Sequence, residues 1–267
     1  MVTLCERDAV LRDFFACVRS TAVGCQMEMA LCAYGQRDPQ TAAWTVYSTE
    51  GTACGGIVSS AGSLFVCLCR QEGAKECADF LHFLFPGHPF SCDGKTEEFL
   101  TPCGFGTLQS GDVLRFHGQP QRIPMPAGYH FPQEIRSDKL YALLCTCFEG
   151  FGENHPWEAF AEDLFLKRKA GAQVLGLAQG DTLCACAGIY ALGANTALLS
   201  AVAALPGHRG KGLARFLVSS LCMQQQHWGR QVLVMTQTPS LSRFYEDIGF
   251  ISDGRWAVLK EKERSCR

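Results

Sequence analysis

Along the second half of the chain, apolar and polar positions are grouped in blocks whose period changes from two to 3.6 and back. The run A-L-L-S-A-V-A-A-L at 197–205 is uninterrupted and apolar, as a buried central strand requires. It leads into L-P-G-H-R-G-K-G-L-A at 205–214, after which 213–227 carry the spacing of an amphipathic helix. Upstream, the pattern predicts helices over 137–149 and 156–170 and strands over 173–178, 183–192 and 196–205. Gly180-Asp181 and Gly193-Ala194-Asn195 supply the turns between those strands. Downstream come a strand at 231–235, a helix through T-P-S-L-S-R-F-Y-E-D-I and a last strand at 255–260. The order predicts an α/β (α+β) fold, a mixed central sheet flanked by helices.

Between 118 and 132, four prolines (Pro120, Pro124, Pro126 and Pro132) and two glycines break any helix and suit no central strand. The expected organisation is therefore one domain over 1–118, a Pro-rich linker over 119–134 and a second domain over 135–267.

The strand-to-helix junction at 205–214 is the strongest chemical signal. Glycine at 210 and 212 lets backbone N–H groups approach a ligand without interference from a Cβ atom. The first turn of the following helix leaves its own N–H groups unpaired and partly positive. A pyrophosphate suits such a cradle. A plain tight turn is the competing reading, and a dinucleotide fingerprint is not completed because Arg215 stands where its third glycine belongs.

The spacing Arg209-x-x-Gly212-x-Ala214 resembles the acetyl-CoA loop of the GNAT acetyltransferase superfamily, R/Q-x-x-G-x-G/A. About thirty residues later, Tyr245-x-x-x-Gly249-Phe250 resembles that family's closing helix with its leaving-group tyrosine. The resemblance covers 137–260 and implies an acyl-CoA N-acyltransferase-like fold that transfers acetyl from acetyl-CoA to a primary amine, with no metal. It implies that the backbone of Val202, Ala203 and Ala204 receives the pantetheine arm and the oxyanion. The pyrophosphate falls to Arg209, Gly210, Lys211, Gly212, Leu213 and Ala214, and Tyr245 protonates the departing thiolate. Many members carry Asn where this chain has Thr238, so that cofactor contact departs from the pattern.

The first half repeats parts of the second. T-A-C-G-G-I-V-S-S at 52–60 resembles C-A-C-A-G-I-Y-A-L at 184–192, and Leu100-T-P-C-Gly104-Phe105 resembles Tyr245-E-D-I-Gly249-Phe250, each followed by a hairpin-like tail. No R-x-x-G-x-A follows L-F-V-C-L-C, and Leu100 occupies the tyrosine position. Residues 1–118 are thus expected to be a degenerate second GNAT-like domain that shapes the acceptor cleft or mediates a homodimer.

Composition narrows the setting. The 24 basic and 26 acidic residues leave no electrostatic footprint for nucleic acid. No apolar stretch reaches a membrane span and the first residues lack a signal-peptide core, so a cytoplasmic protein is expected. The 16 cysteines sit in apolar runs without a C-x-x-C pair, which points to reduced thiols in cores rather than zinc or a disulfide framework.

Acetyl transfer requires a neutral amine. For a lysine-like amine with pKa near 10.4, the neutral form at pH 7 is disfavoured by about 4.6 kcal/mol. The strand at 196–205 holds no acidic side chain, so the base candidates are Glu153 and His155 in F-E-G-F-G-E-N-H-P-W, with Glu149 beside them and Trp157 as a possible pocket wall. The acceptor, a small molecule or a peptide, is open. A non-catalytic acyl-CoA sensor or assembly module is the alternative, one that would have no need of Tyr245.

Overall fold

The computed structural model describes residues 1–35, 41–119 and 123–262. The first half runs β1 (Val2–Leu4), α1 (Asp8–Val18), α2 (Ala22–Tyr34), β2 (Thr41–Tyr47), β3 (Ala53–Ser60), β4 (Ser63–Leu68), α3 (Ala74–Leu84), β5 (Phe90–Asp93), α4 (Gly94–Leu100) and β6 (Phe105–Phe116). The second runs α5 (Ser137–Cys147), α6 (Phe151–Asn154), α7 (Trp157–Lys169), β7 (Gln173–Gln179), β8 (Thr182–Leu192), β9 (Thr196–Ala204), α8 (Leu213–His227), β10 (Gln231–Thr236), α9 (Pro239–Glu246) and β11 (Phe250–Glu261). The helix expected over 137–149 ends at Cys147, and Gly150, at φ +69, starts the separate four-residue α6.

These strands form one mixed sheet in the order β1-β2-β3-β4-β5-β11-β6-β10-β9-β8-β7. The two halves share one plan: an antiparallel meander, a parallel step across a helix (β4 to β5, β9 to β10), a second helix and a long last strand. The tails expected to be hairpins are instead single strands that pair with each other, from Phe250↔Phe116 to Glu261↔Phe105. The glycine in the C-terminal tail, Gly254 at φ +123, sits at a register shift rather than a reversal, so the strand continues.

Each last strand therefore lies in the other half's territory. β6 pairs with β10, placing Leu114 and Phe116 in the core beneath α8 with Leu217, Leu221 and Val234. β11 pairs with β5, placing Ala257 and Leu259 in the core beneath α3 with Leu81 and Phe90. A third cluster joins the halves, with Ala22, Cys25 and Met29 of α2 against Ala191, Leu198 and Leu233. There the buried Glu28 accepts a hydrogen bond from the Ala194 N–H at 2.8 Å. Of the proline-rich stretch, residues 120–122, Pro120 among them, lie outside the described residues. From 123 on, the stretch is tied to the second half by a bridge between His130 and Ala178.

Candidate active site

β9 and β10 run parallel only from Thr196↔Gln231 to Leu199↔Val234. Beyond Leu199, β9 has no ladder partner on that side, while Met235 and Thr236 continue to pair with β6. The cause is a bulge. Cys186 pairs with Ala203 and Gly188 with Ser200, so Ala201 and Val202 both stand opposite Ala187. Ala201 takes φ +51, a left-handed conformation costly for a residue with a Cβ, and its C=O accepts from the Cys186 thiol at 3.2 Å. The bulge bends β9 away and leaves main-chain donors and acceptors of 200–204 facing an opening.

At the mouth of that opening lies the loop expected to be a cradle. After a single 3-10 turn (Pro206–His208), Gly210 and Gly212 adopt φ +75 and +76, and a Cβ built on either meets no atom within 4 Å. The space above the loop is therefore open. The first backbone bond of α8 runs from Phe216 N–H to Gly212 C=O at 3.0 Å, which leaves the amides of Leu213 and Ala214 aimed at the loop. Arg209 donates from Nε to the Ala204 C=O at 3.1 Å, which fixes the loop to the end of β9. His208 Nδ1 is hydrogen-bonded to Tyr129 Oη at 2.8 Å, a contact with the proline-rich stretch that no local pattern announces. Lys211 is exposed.

Across the opening, α9 follows β10. Thr238 caps it, accepting from Leu241 N–H at 3.4 Å through Oγ1, so its hydroxyl already has a structural task. Tyr245 is buried in the cluster beneath α8, with ring centroids of Phe244 and Phe250 at 5.0 and 5.4 Å. Burial first, then the neighbouring Cys222, pushes its phenol above the ordinary tyrosine range. It therefore holds its proton at neutral pH.

On the sheet face opposite α8, a cleft of about 550 Å³ lies between the halves. Ser200 and Leu198 of β9 form part of its wall, so it reaches the strand at the point of divergence. The N-terminal half contributes Gln26 of α2 and the turn between β3 and β4, the C-terminal half His155, α7 and Tyr190. Of the two base candidates, His155 lines the cleft and Glu153 does not. Glu153 projects from α6 as an exposed residue. Glu149 and Trp157 also lie outside the lining. Sequence reasoning missed Gln26 and Tyr190. Gln26 left one signal, a polar interruption in the apolar run A-V-G-C-Q-M-E-M-A-L.

The equivalent opening in the first half is closed. β4 and β5 pair at Phe65↔Ser91 and Val66↔Cys92, after which the Leu68 N–H donates to Thr96 Oγ1 at 2.7 Å. Thr96 is fully buried, and Leu100, at the tyrosine position, is too. Where the loop with Gly212 is open, a Cβ on Gly73 would meet Cys54 Cβ at 2.5 Å.

A diverging parallel strand pair, a bulge on one strand and a glycine loop at a helix N-terminus define an acyl-CoA N-acyltransferase-like fold, here in duplicate. Residues 137–250 match the acetyltransferase (GNAT) family. Among solved structures, a tandem GNAT protein from the clavulanic acid biosynthesis pathway is 13% identical, covers 100% of this chain and 99% of its own, and superimposes with a TM-score of 0.66. An acetyltransferase of the GNAT family from Colwellia psychrerythraea is 13% identical, with coverages of 98% and 100% and a TM-score of 0.61. A GCN5-related N-acetyltransferase from Sphaerobacter thermophilus is 13% identical, with coverages of 98% and 95% and a TM-score of 0.57. No curated protein matches the chain.

Proposed function

We propose that this chain is an N-acetyltransferase that moves an acetyl group from acetyl-CoA directly to a primary amine, using one site built in its second half. The observation that carries this reading is the departure of β9 from β10 after Leu199, directly before the open loop at Gly210 and Gly212.

Acetyl-CoA would supply the activated acyl group. Its pyrophosphate suits the amides of 210–214 and the Arg209 side chain, the Arg209 amide being given to the Pro206 C=O at 3.4 Å, and charge-assisted hydrogen bonds there contribute about 1.5–3 kcal/mol each. The main chain of Val202, Ala203 and Ala204, which β10 no longer pairs and of which the Ala204 C=O is held by Arg209, suits the pantetheine arm and the thioester carbonyl. Tyr245 holds a proton within the same half of the sheet and is the donor for a departing thiolate. The amine enters from the cleft on the opposite face, where His155 is the candidate to take up its proton. Residues 1–118 form the non-binding copy, its opening filled by Thr96 and Leu100, and serve as one wall of the cleft.

Calorimetric titration of acetyl-CoA into the wild type and Gly212→Trp tests the cradle. Micromolar binding lost in the variant supports it. Equal binding by both would place the ligand elsewhere, and no binding by either would reduce the loop to a structural turn. A non-catalytic sensor is separated from an enzyme by thiol release in the presence of amines, which the sensor cannot produce.

A further inference from the structure

The composition of the cleft wall points to what the second substrate is. Among the described residues lining it there is one carboxylate, Asp163, and one ammonium, Lys167. They form an ion pair at 2.9 Å, and Asp163 also accepts a hydrogen bond from Tyr34. Among the described residues of the lining, no carboxylate remains to hold a second or third ammonium group. A polyamine or a basic peptide would bring unpaired cations against a half-enclosed wall, at a cost that none of the described lining groups offsets.

The remaining lining is of two kinds, neutral hydrogen-bonding groups and flat apolar surfaces. Ser60, Ser63, Ser200 and Asn154 contribute the first, Phe65 and Phe160 the second. Two groups are incomplete. The Tyr190 hydroxyl and Gln26 Oε1 are both shut off from bulk solvent, and neither has a hydrogen-bond partner among the described residues. Buried polar atoms almost always find partners, so two orphans on one cleft wall mark places where a ligand completes the set. Burial raises the Tyr190 phenol, which keeps it a donor. Gln26 Oε1 is an acceptor only.

Resting on the acetyltransferase reading above, we propose that the cleft takes a small polyhydroxylated monoamine of the amino-sugar kind, held between Gln26 of the N-terminal half and Tyr190 of the C-terminal half. A sugar hydroxyl donates to Gln26 Oε1, another accepts from Tyr190 Oη, and the apolar ring face lies on an aromatic side chain. With no free carboxylate among the described lining residues, loss of the ammonium proton before reaction is favoured. The amine nitrogen then forms the new C–N bond as the thioester C–S bond breaks. The proton the nitrogen gives up balances the one the thiolate gains, leaving an acetamide and free CoA thiol.

Glucosamine is the probe. Titrated by calorimetry into the full-length protein, with and without CoA, it binds, and Tyr190→Phe and Gln26→Leu each weaken that binding by about tenfold. Both variants keep the wild-type affinity for CoA. Each also removes an unpartnered buried atom, so neither lowers the melting temperature, which separates a ligand contact from a structural one. The proposal is overturned if the protein binds CoA but not glucosamine, if spermidine or a lysine peptide binds as well as glucosamine does, or if both variants bind glucosamine like the wild type. Glucosamine binding that depends on Tyr190 and Gln26 in a protein that ignores acetyl-CoA would uphold the cleft assignment and remove the acetyltransferase reading instead.

Discussion

Tyr245 stands four positions before Gly249, and its ring is fixed between Phe244 and Phe250 while its phenol is held protonated by burial. In the role proposed, Tyr245→Phe lowers turnover by about 10²–10⁴-fold and leaves acetyl-CoA affinity within about twofold. Because the phenol titrates above its usual value of about 10, its loss of a proton produces no fall in turnover below about pH 10. A pH–rate profile that descends near pH 8 and loses that limb in the Phe variant would contradict the assignment. Cysteine chemistry offers a second test. Cys69 is exposed, and the Cys17 thiol, hydrogen-bonded to it, lowers its pKa to about 7, with Arg70 helping. Its thiolate fraction rises through neutral pH, whereas the buried thiols, raised by desolvation, stay protonated. Alkylation followed by mass spectrometry should label Cys69 first, and Cys17→Ala should slow it several-fold at pH 7. Equal labelling of Cys69 and Cys32 would refute the pairing. The open glycine loop and the closing helix were legible in the chain because Gly210, Gly212 and Tyr245 are placed by local backbone conformation and helix spacing. Gln26 and Tyr190 were not, since nothing local brings α2 to the end of β8.

Two openings of the same design have opposite fates, and short segments decide which. In the second half a bulge at Ala201 bends β9 away from β10, and the following glycines keep the loop clear. In the first half, Asp93 caps α4 by accepting from Thr96 N–H at 2.8 Å, and that turn of helix delivers the Thr96 hydroxyl to the Leu68 amide. The loss of the glycine loop could be read in R-Q-E-G-A-K-E, but the plug could not, since Thr96 looks like any residue of a polar helical turn. Thr96→Val keeps the volume and strands a buried N–H, so it should destabilise the protein by about 1–3 kcal/mol, read from chemical denaturation. Thr96→Ser retains the acceptor and should lose less than Val does. A Val variant as stable as wild type would show that the hydrogen bond does not close the opening.

The order of elements, the repeat and its two anchors were all visible in the chain, yet the most consequential feature of the architecture was not. A strand's pattern of buried and exposed positions states that it needs a neighbour and does not say which one. β6 finds its neighbour in β10 and β11 in β5, and the two strands pair with each other along their length, a choice that no local pattern in either strand spells out. It follows that a boundary near 118 divides the sequence without dividing the core. Expressed alone, residues 119–267 would lack β6, leaving β10 with an open edge and removing Leu114 and Phe116 from beneath α8. Fully burying two such side chains is worth about 1.5–3 kcal/mol each, and losing the strand's ladder and the α2 interface adds to it. Against a typical net stability of about 5–15 kcal/mol, that deficit is large enough to unfold the fragment. The fragment should therefore show no cooperative thermal transition and should aggregate through the exposed edge. Supplying residues 1–118 as a separate chain should restore both solubility and acetyl-CoA binding. A monomeric 119–267 fragment that melts cooperatively would mean that β11 can fold back into the position of β6, and that the strand exchange is one of two arrangements the sequence accepts.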